Sequence, residues 1–236
     1  MHRFAGGMAT ALQAHGLPPY TPVEPWLRTH PQHIESVLNG FQRAGCTHAL
    51  TPTFMAASTP ESLPSTVHLA VKAVRDAGVL PWGSSGPVAA HPDTYAALAQ
   101  ALVDEGVTSL TLETFTDGDA ALQALVAVRS IPQLTDVVVS VVPTDDGTHL
   151  LGGGNLPTFA HRAVAAGATG VGVNCVAPDV VARSAGLLAG IAPLWLFPSG
   201  ASDWAAAVHP FAAQATWLGG CCGVDAACLN ALWSSL

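Results

Sequence analysis

Eight times along this chain a short apolar run bounded by turn residues is followed by a segment of helical length, and this alternation restricts the fold more than any other feature. The strand candidates are residues 3–5, 47–54, 79–84, 109–115, 137–142, 170–175, 194–198 and 216–221. The helical segments are residues 31–44, 60–77, 92–105, 117–128, 156–166, 178–190, 202–214 and 225–233. Parallel strands covered on both faces read as such unbroken apolar runs. Eight strand-helix units take up nearly all of the 236 residues, so the pattern predicts a compact α/β protein, a single (β/α)8 TIM barrel over residues 1–236 with no second domain. Only four residues precede Ala5, so the first strand is expected to be short or frayed. The long Gly-rich segment 143–155, PTDDGTHLLGGGN, is expected to be a loop covering the barrel mouth.

Half of the residues are hydrophobic and 10% are charged, which supplies a core and argues against disorder. The formal charge is −8, with a single lysine, Lys72, and seven arginines spread along the chain. No basic patch is available to neutralise phosphates, which excludes nucleic acid as a partner. The opening MHRFAGGMATALQAHG lacks the apolar run of a secretion signal, so a cytoplasmic protein with reduced or metal-bound thiols is expected. Residues 184–202 are uncharged over a spanning length, but Pro193, Pro198 and three glycines interrupt them. They read as a helix end, a turn and a buried strand, and no membrane partner is expected.

Three of the five cysteines carry the chemistry. Cys175 ends GVNC, and Cys221 and Cys222 sit 46 and 47 positions later in GGCCG. In a parallel barrel the reacting groups gather at the C-terminal ends of the strands. Cys175 would close the sixth strand and the adjacent pair the eighth, with one strand between them, so the tips can share one metal. The flanking glycines let two consecutive side chains reach the same ion. Three thiolates hold one Zn²⁺ and leave its fourth tetrahedral position open, which distinguishes a catalytic zinc from a structural one. A vicinal Cys221–Cys222 disulfide is disfavoured by its geometry and by a reducing compartment. Cys46 and Cys228 lack ligand spacing and read as buried thiols. The ten histidines form no HxxxH or HExxH grouping. Trp82 and Trp217 read as core residues, with walls for a cationic ligand as the alternative.

GGMAT (residues 6–10), HPQHIESVLNGFQRAGCTHALTPTF (30–54), GSSGP (83–87), LETF (112–115), GVNC (172–175) and GGCCG (219–223) occur in this order. In these motifs the chain resembles the zinc-dependent homocysteine S-methyltransferases, which include the betaine and S-methylmethionine enzymes and the homocysteine module of methionine synthase. The resemblance covers almost the whole chain. It implies that Cys175, Cys221 and Cys222 bind Zn²⁺ and act through it, that Glu113 holds the homocysteine amino group, and that Gly83 and Ser84 meet the substrate. The implied activity is methyl transfer from an S-methylmethionine-like or betaine-like donor to the thiol of homocysteine, giving methionine. The expected partners are a small thiol acceptor and a methyl donor, with a homo-oligomer left open. Three positions depart from the family: Ala5 where it carries Asp, and Pro52 and Ser199 where it carries Asn. They leave open a different small thiol or selenol as acceptor, and the compact loops leave open a non-catalytic zinc-binding barrel subunit.

Overall fold

The computed structural model describes residues 1–88 and 91–236, and it is the expected single (β/α)8 barrel. Its strands are β1 (His2–Arg3), β2 (His48–Leu50), β3 (Leu80–Ser85), β4 (Ser109–Phe115), β5 (Asp136–Val141), β6 (Gly170–Asn174), β7 (Leu194–Phe197) and β8 (Trp217–Leu218). All neighbouring pairs are parallel, in the order β1-β8-β7-β6-β5-β4-β3-β2. A parallel bridge between Phe4 and His48 joins the two ends of that order, supported by the Ala5 N–H donating to the His48 carbonyl at 2.9 Å.

The helices are α1 (Met8–Gln13), α2 (Trp26–Thr29), α3 (Pro31–Arg43), α4 (Leu63–Asp76), α5 (Pro92–Asp104), α6 (Gly118–Arg129), α7 (Leu156–Ala165), α8 (Pro178–Leu188), α9 (Trp204–Ala212) and α10 (Ala226–Ser235). Their starts are written in the sequence. Proline occupies the first turn of α3, α4, α5, α7 and α8, where its missing N–H costs nothing. The side chains of Asp117, Asn155 and Asp225 cap α6, α7 and α10. On α3, Ile34, Val37, Leu38 and Phe41 recur at helical spacing and form its buried face. The uncharged stretch 184–202 divides between α8 and β7, and no helix among the described residues is long and apolar enough to cross a membrane.

Strands β2 and β8 stop well short of their expected ends. Past β2, Pro52 has no N–H to donate, and the Thr51 and Thr53 hydroxyls bond to each other at 2.8 Å while Thr53 also donates to the Ser84 carbonyl at 2.7 Å. Past β8, the Gly220 N–H goes to Ala5 on one side at 3.2 Å and the Cys221 N–H to Pro198 on the other at 2.9 Å. Cys221 and Cys222 therefore stand in a loop after β8 rather than on the strand.

Two apolar layers hold the barrel together. One lies between strands and helices. The other fills the barrel floor and consists of Phe4, Trp82, Val138, Trp195, Phe197 and Trp217. Trp195 stacks on Phe197 with centroids 4.1 Å apart, and Phe4 meets Trp195 at 4.8 Å. Trp82 also donates its indole N–H to Thr111 Oγ1 at 2.8 Å. Trp82 and Trp217 are thus floor residues, the first of the two readings. Cys46 is buried and donates its thiol to the Phe4 carbonyl at 3.3 Å, while Cys228 is only half-buried.

The 143–155 loop does not cover the mouth. It folds on itself through bridges Pro143↔Leu150 and His149↔Asn155. Arg183 and Ser184 of α8 then pin it by bonds to the carbonyls of Asp145 and Gly147. Those backbone groups take partners to the side of the barrel, so the loop lies against α8.

Candidate active site

The loops after β6 and β8 bring Cys175, Cys221 and Cys222 together, with their sulfur atoms all within 4.8 Å of one another. Two glycines at the start of the chain make room for this. A Cβ on Gly6 would strike the Val224 carbonyl, and one on Gly7 would lie 2.6 Å from the Cys221 carbonyl. Thr10 Oγ1 accepts the Gly223 N–H at 3.0 Å, which ties α1 to the cysteine loop. The sulfurs of Cys175 and Cys221, on Cα atoms 5.5 Å apart, are in contact, and Cys222 stands beside them. Two sulfurs aimed at one point from either side of β7 meet there, and the third, on the residue after Cys221, joins them.

The donor set suits a tetrahedral, thiolate-preferring metal. Sulfurs about 2.3 Å from one ion stand roughly 3.8 Å apart, and small rotations of these side chains reach that spacing. Partial burial pushes the Cys222 thiol upward, and the Glu113 carboxylate adds to the shift. A nearby cation opposes both effects.

Asn174, buried at the tip of β6, organises the strand ends around Cys175. Its Oδ1 accepts from Ser140 Oγ at 2.7 Å and from the Thr114 N–H at 3.1 Å. Its Nδ2 donates to Thr114 Oγ1 at 2.7 Å and to Cys175 Sγ at 3.3 Å. These bonds hold two residues in the left-handed region, Thr114 at φ 65° and Cys175 at φ 60°. Each such placement costs about 1–3 kcal/mol and persists only where the surroundings enforce it.

The distortion begins in β4. Its pairing with β5 shifts register between Leu112 and Phe115, a bulge that re-aims the residues it contains. Glu113 lies in the bulge and faces the mouth, where its Oε1 accepts from Ser84 Oγ of β3 at 2.5 Å. Loss of water around this carboxyl pushes its pKa up to about 7, and the Ser84 bond works against the shift.

Glu113, Ser84, Thr114 and the three cysteines share a cavity of about 490 Å³ at the C-terminal end of the barrel. Its rim comes from the segment between α1 and α2: Tyr20, Thr21, Pro22, Val23 and Glu24. The lining holds two carboxylates and three cysteines but no lysine, arginine or histidine, so the mouth favours cations.

The homocysteine S-methyltransferase family profile matches residues 4–236. The chain belongs to that family. As a member it is a methyltransferase, and the match spans the barrel from Phe4 to the C-terminus. No curated protein matches it in sequence. The metallated form of the homocysteine methyltransferase MmuM from Escherichia coli superposes with a TM-score of 0.82 at 22% identity, covering 100% of this chain and 96% of that one. The apo form of MmuM gives 0.81 at 25% identity with the same coverage. A type I 3-dehydroquinate dehydratase from Clostridium difficile gives 0.58 at 10% identity, covering 100% of this chain and 94% of that one. The barrel alone therefore does not fix the chemistry.

Against the family's pattern, the structure separates the expected substrate residues of this methyltransferase. Glu113 and Ser84 line the cavity. Gly83 does not, because its bare Cα faces Leu102 and Leu110 on the helix side of β3. Of the three departures, Ala5 and Pro52 line the cavity while Ser199 stands outside it. Three participants escaped the sequence reading. Asn174 is a polar residue inside an otherwise apolar strand, which was a usable signal. Tyr20 and Glu24 belong to the segment before the first long helix, where LPPYTPVEP gives no periodicity to read.

Proposed function

We propose that this methyltransferase moves a methyl group from a cationic donor, S-methylmethionine-like or betaine-like, to the thiol of homocysteine, giving methionine, with Zn²⁺ held by Cys175, Cys221 and Cys222. The observation that carries this reading is the convergence of three cysteine sulfurs beside Glu113 in a mouth lined by no basic residue. Bound zinc would keep the acceptor sulfur ionised at neutral pH, where a free thiol of pKa about 8.5 is only about 3% thiolate.

The other tasks fall to the chain itself. Glu113 receives the substrate ammonium, and Ser84 Oγ orients that carboxylate. Asn174 fixes the direction of Cys175 Sγ. Phe54, Met55 and Phe197 give the cavity apolar wall that excludes water. In the transfer the acceptor sulfur's electron pair forms a bond to the methyl carbon, the methyl–donor bond breaks, and the donor leaves with that pair as a neutral molecule. The acidic lining concentrates a cationic donor at the mouth. Ala5 and Pro52, both in the cavity, favour a second reading with a different small thiol or selenol as acceptor.

The test uses reduced protein. Zinc should co-purify in a one-to-one ratio, cobalt substitution should give sulfur-to-metal charge-transfer bands, and Cys175→Ala should abolish both binding and turnover. Full activity in Cys175→Ala sinks the proposal. A selenol or another thiol that outperforms homocysteine would select the second reading.

A further inference from the structure

Glu24 is a buried carboxylate in the wall of the same cavity, with 8% of its surface exposed. It comes from the α1–α2 segment, far in sequence from every motif of the site. Its Oε1 accepts the Met55 N–H at 2.6 Å, and burial raises its pKa above the usual carboxylate value. Among the described residues it enters no ion pair, and the cavity offers no lysine, arginine or histidine to meet it.

A tether alone does not explain this residue. Its backbone donors, the Met55 N–H first and those of Glu24 itself and Val23 behind it, ask only for a neutral oxygen and leave part of a carboxylate's roughly four acceptor positions open. A buried negative charge without a cation is a net cost. The cavity wall that holds Glu24 also contains Ala5, where the aspartate expected from the family pattern is missing. One carboxylate has left the mouth, and another stands in it from a different element.

We infer that Glu24 is the second substrate-binding carboxylate, sharing the acceptor's ammonium with Glu113 and taking the place of the side chain absent at position 5. The inference rests on the proposed acceptor being an amino-acid thiol. The backbone N–H groups, Met55 foremost, orient the carboxylate and leave acceptor positions for the ligand.

The experiment compares homocysteine with 4-mercaptobutanoate, the same thiol acid without its amine, using one methyl donor. Glu24→Gln keeps an acceptor for Met55 and removes the charge. It should lower kcat/KM for homocysteine about tenfold or more, mainly through KM, and shrink the preference for homocysteine over the amine-free thiol by a similar factor. Glu24→Asp, which keeps the charge on a shorter stem, should restore part of that preference. Equal losses with both thiols would show a structural role and overturn the inference. A wild-type preference for homocysteine that Glu24→Gln leaves intact overturns the role of Glu24 alone. Wild-type protein that does not distinguish the two thiols overturns the amino-acid acceptor and this inference together.

Discussion

Asn174 shows how much a single side chain can carry at this site. It satisfies the Thr114 N–H and Ser140 Oγ, and it aims a donor at Cys175 Sγ. Replacing it with alanine strands two buried polar groups at about 1–3 kcal/mol each and frees the two left-handed residues it restrains. Asn174→Ala should therefore lower thermal stability and weaken metal affinity about 10–100-fold, as read by chelator competition, because groups that orient ligands matter nearly as much as the ligands. Unchanged affinity would remove Asn174 from the metal site. Glu113 gives a second prediction at this scale. Its folded pKa is raised to about 7, so the free protein holds it protonated below that value and ionised above it. Only the ionised form attracts an ammonium. Binding of L-methionine, which has no thiol to titrate, should therefore strengthen as pH rises from about 5.5 to about 7.5, by up to tenfold per unit on the acid side. In Glu113→Gln calorimetry should find weaker binding and a flat profile over the same range. A wild-type profile that is equally flat would remove Glu113 from the amine site.

Elements differ in how far their sequence declares them. The strand read at residues 109–115 is β4 to the residue, because its apolar run and its ladder end together. The helices expected from residues 31, 92, 156 and 178 begin there, each with proline in its first turn, whereas the one expected from residue 60 begins at Leu63. The end of β8 could not be read in this way. Its termination depends on Gly220 and Cys221 choosing opposite neighbours, Ala5 and Pro198, which are remote in sequence. The cysteine trio was legible because barrel topology alone brings the tips of β6 and β8 together. The left-handed turns at Thr114 and Cys175 were not, since neither residue type favours that conformation. Segments without periodicity were the least legible: the 143–155 loop was expected over the mouth, yet the 18–24 segment supplies the rim. Tyr20 in that segment is fully exposed and lines the cavity, so it contributes almost nothing to folding and is available to a ligand. Tyr20→Ala should raise the KM for a cationic donor about 2- to 10-fold and leave Tm unchanged. Leu151→Ala, in the loop that lies against α8, should alter neither. A KM effect from Leu151→Ala would place that loop over the mouth after all.

The barrel floor links the stability of the whole molecule to the site. Trp195 is fully buried at its centre, touching Phe4 and Phe197, and Trp82 and Trp217 stand around it with centroids about 6 Å away. Phe197 has the floor on one side and the active-site cavity on the other, so it is the partition between core and mouth. The strands at this level are short, with only two residues each in β1 and β8, and the closing bridge depends on Phe4 staying in place. Packing of the aromatic cluster therefore does work that a longer hydrogen-bond ladder would otherwise share. Trp195→Ala should cost about 3–5 kcal/mol, the usual range for deleting a buried tryptophan. For a chain of this length that is a fall in Tm of about 2–4 °C per kcal/mol. Trp195→Phe, which keeps a ring against Phe197, should lose clearly less. Because the cysteine loops are tied separately, through Asn174, Thr10 and the Ala5–Gly220 bond, metal affinity of the folded fraction should survive either substitution. Calorimetric melting paired with metal titration at low temperature separates the two effects. A loss of metal binding in step with stability would mean that the floor, rather than those local ties, holds the cysteines in place.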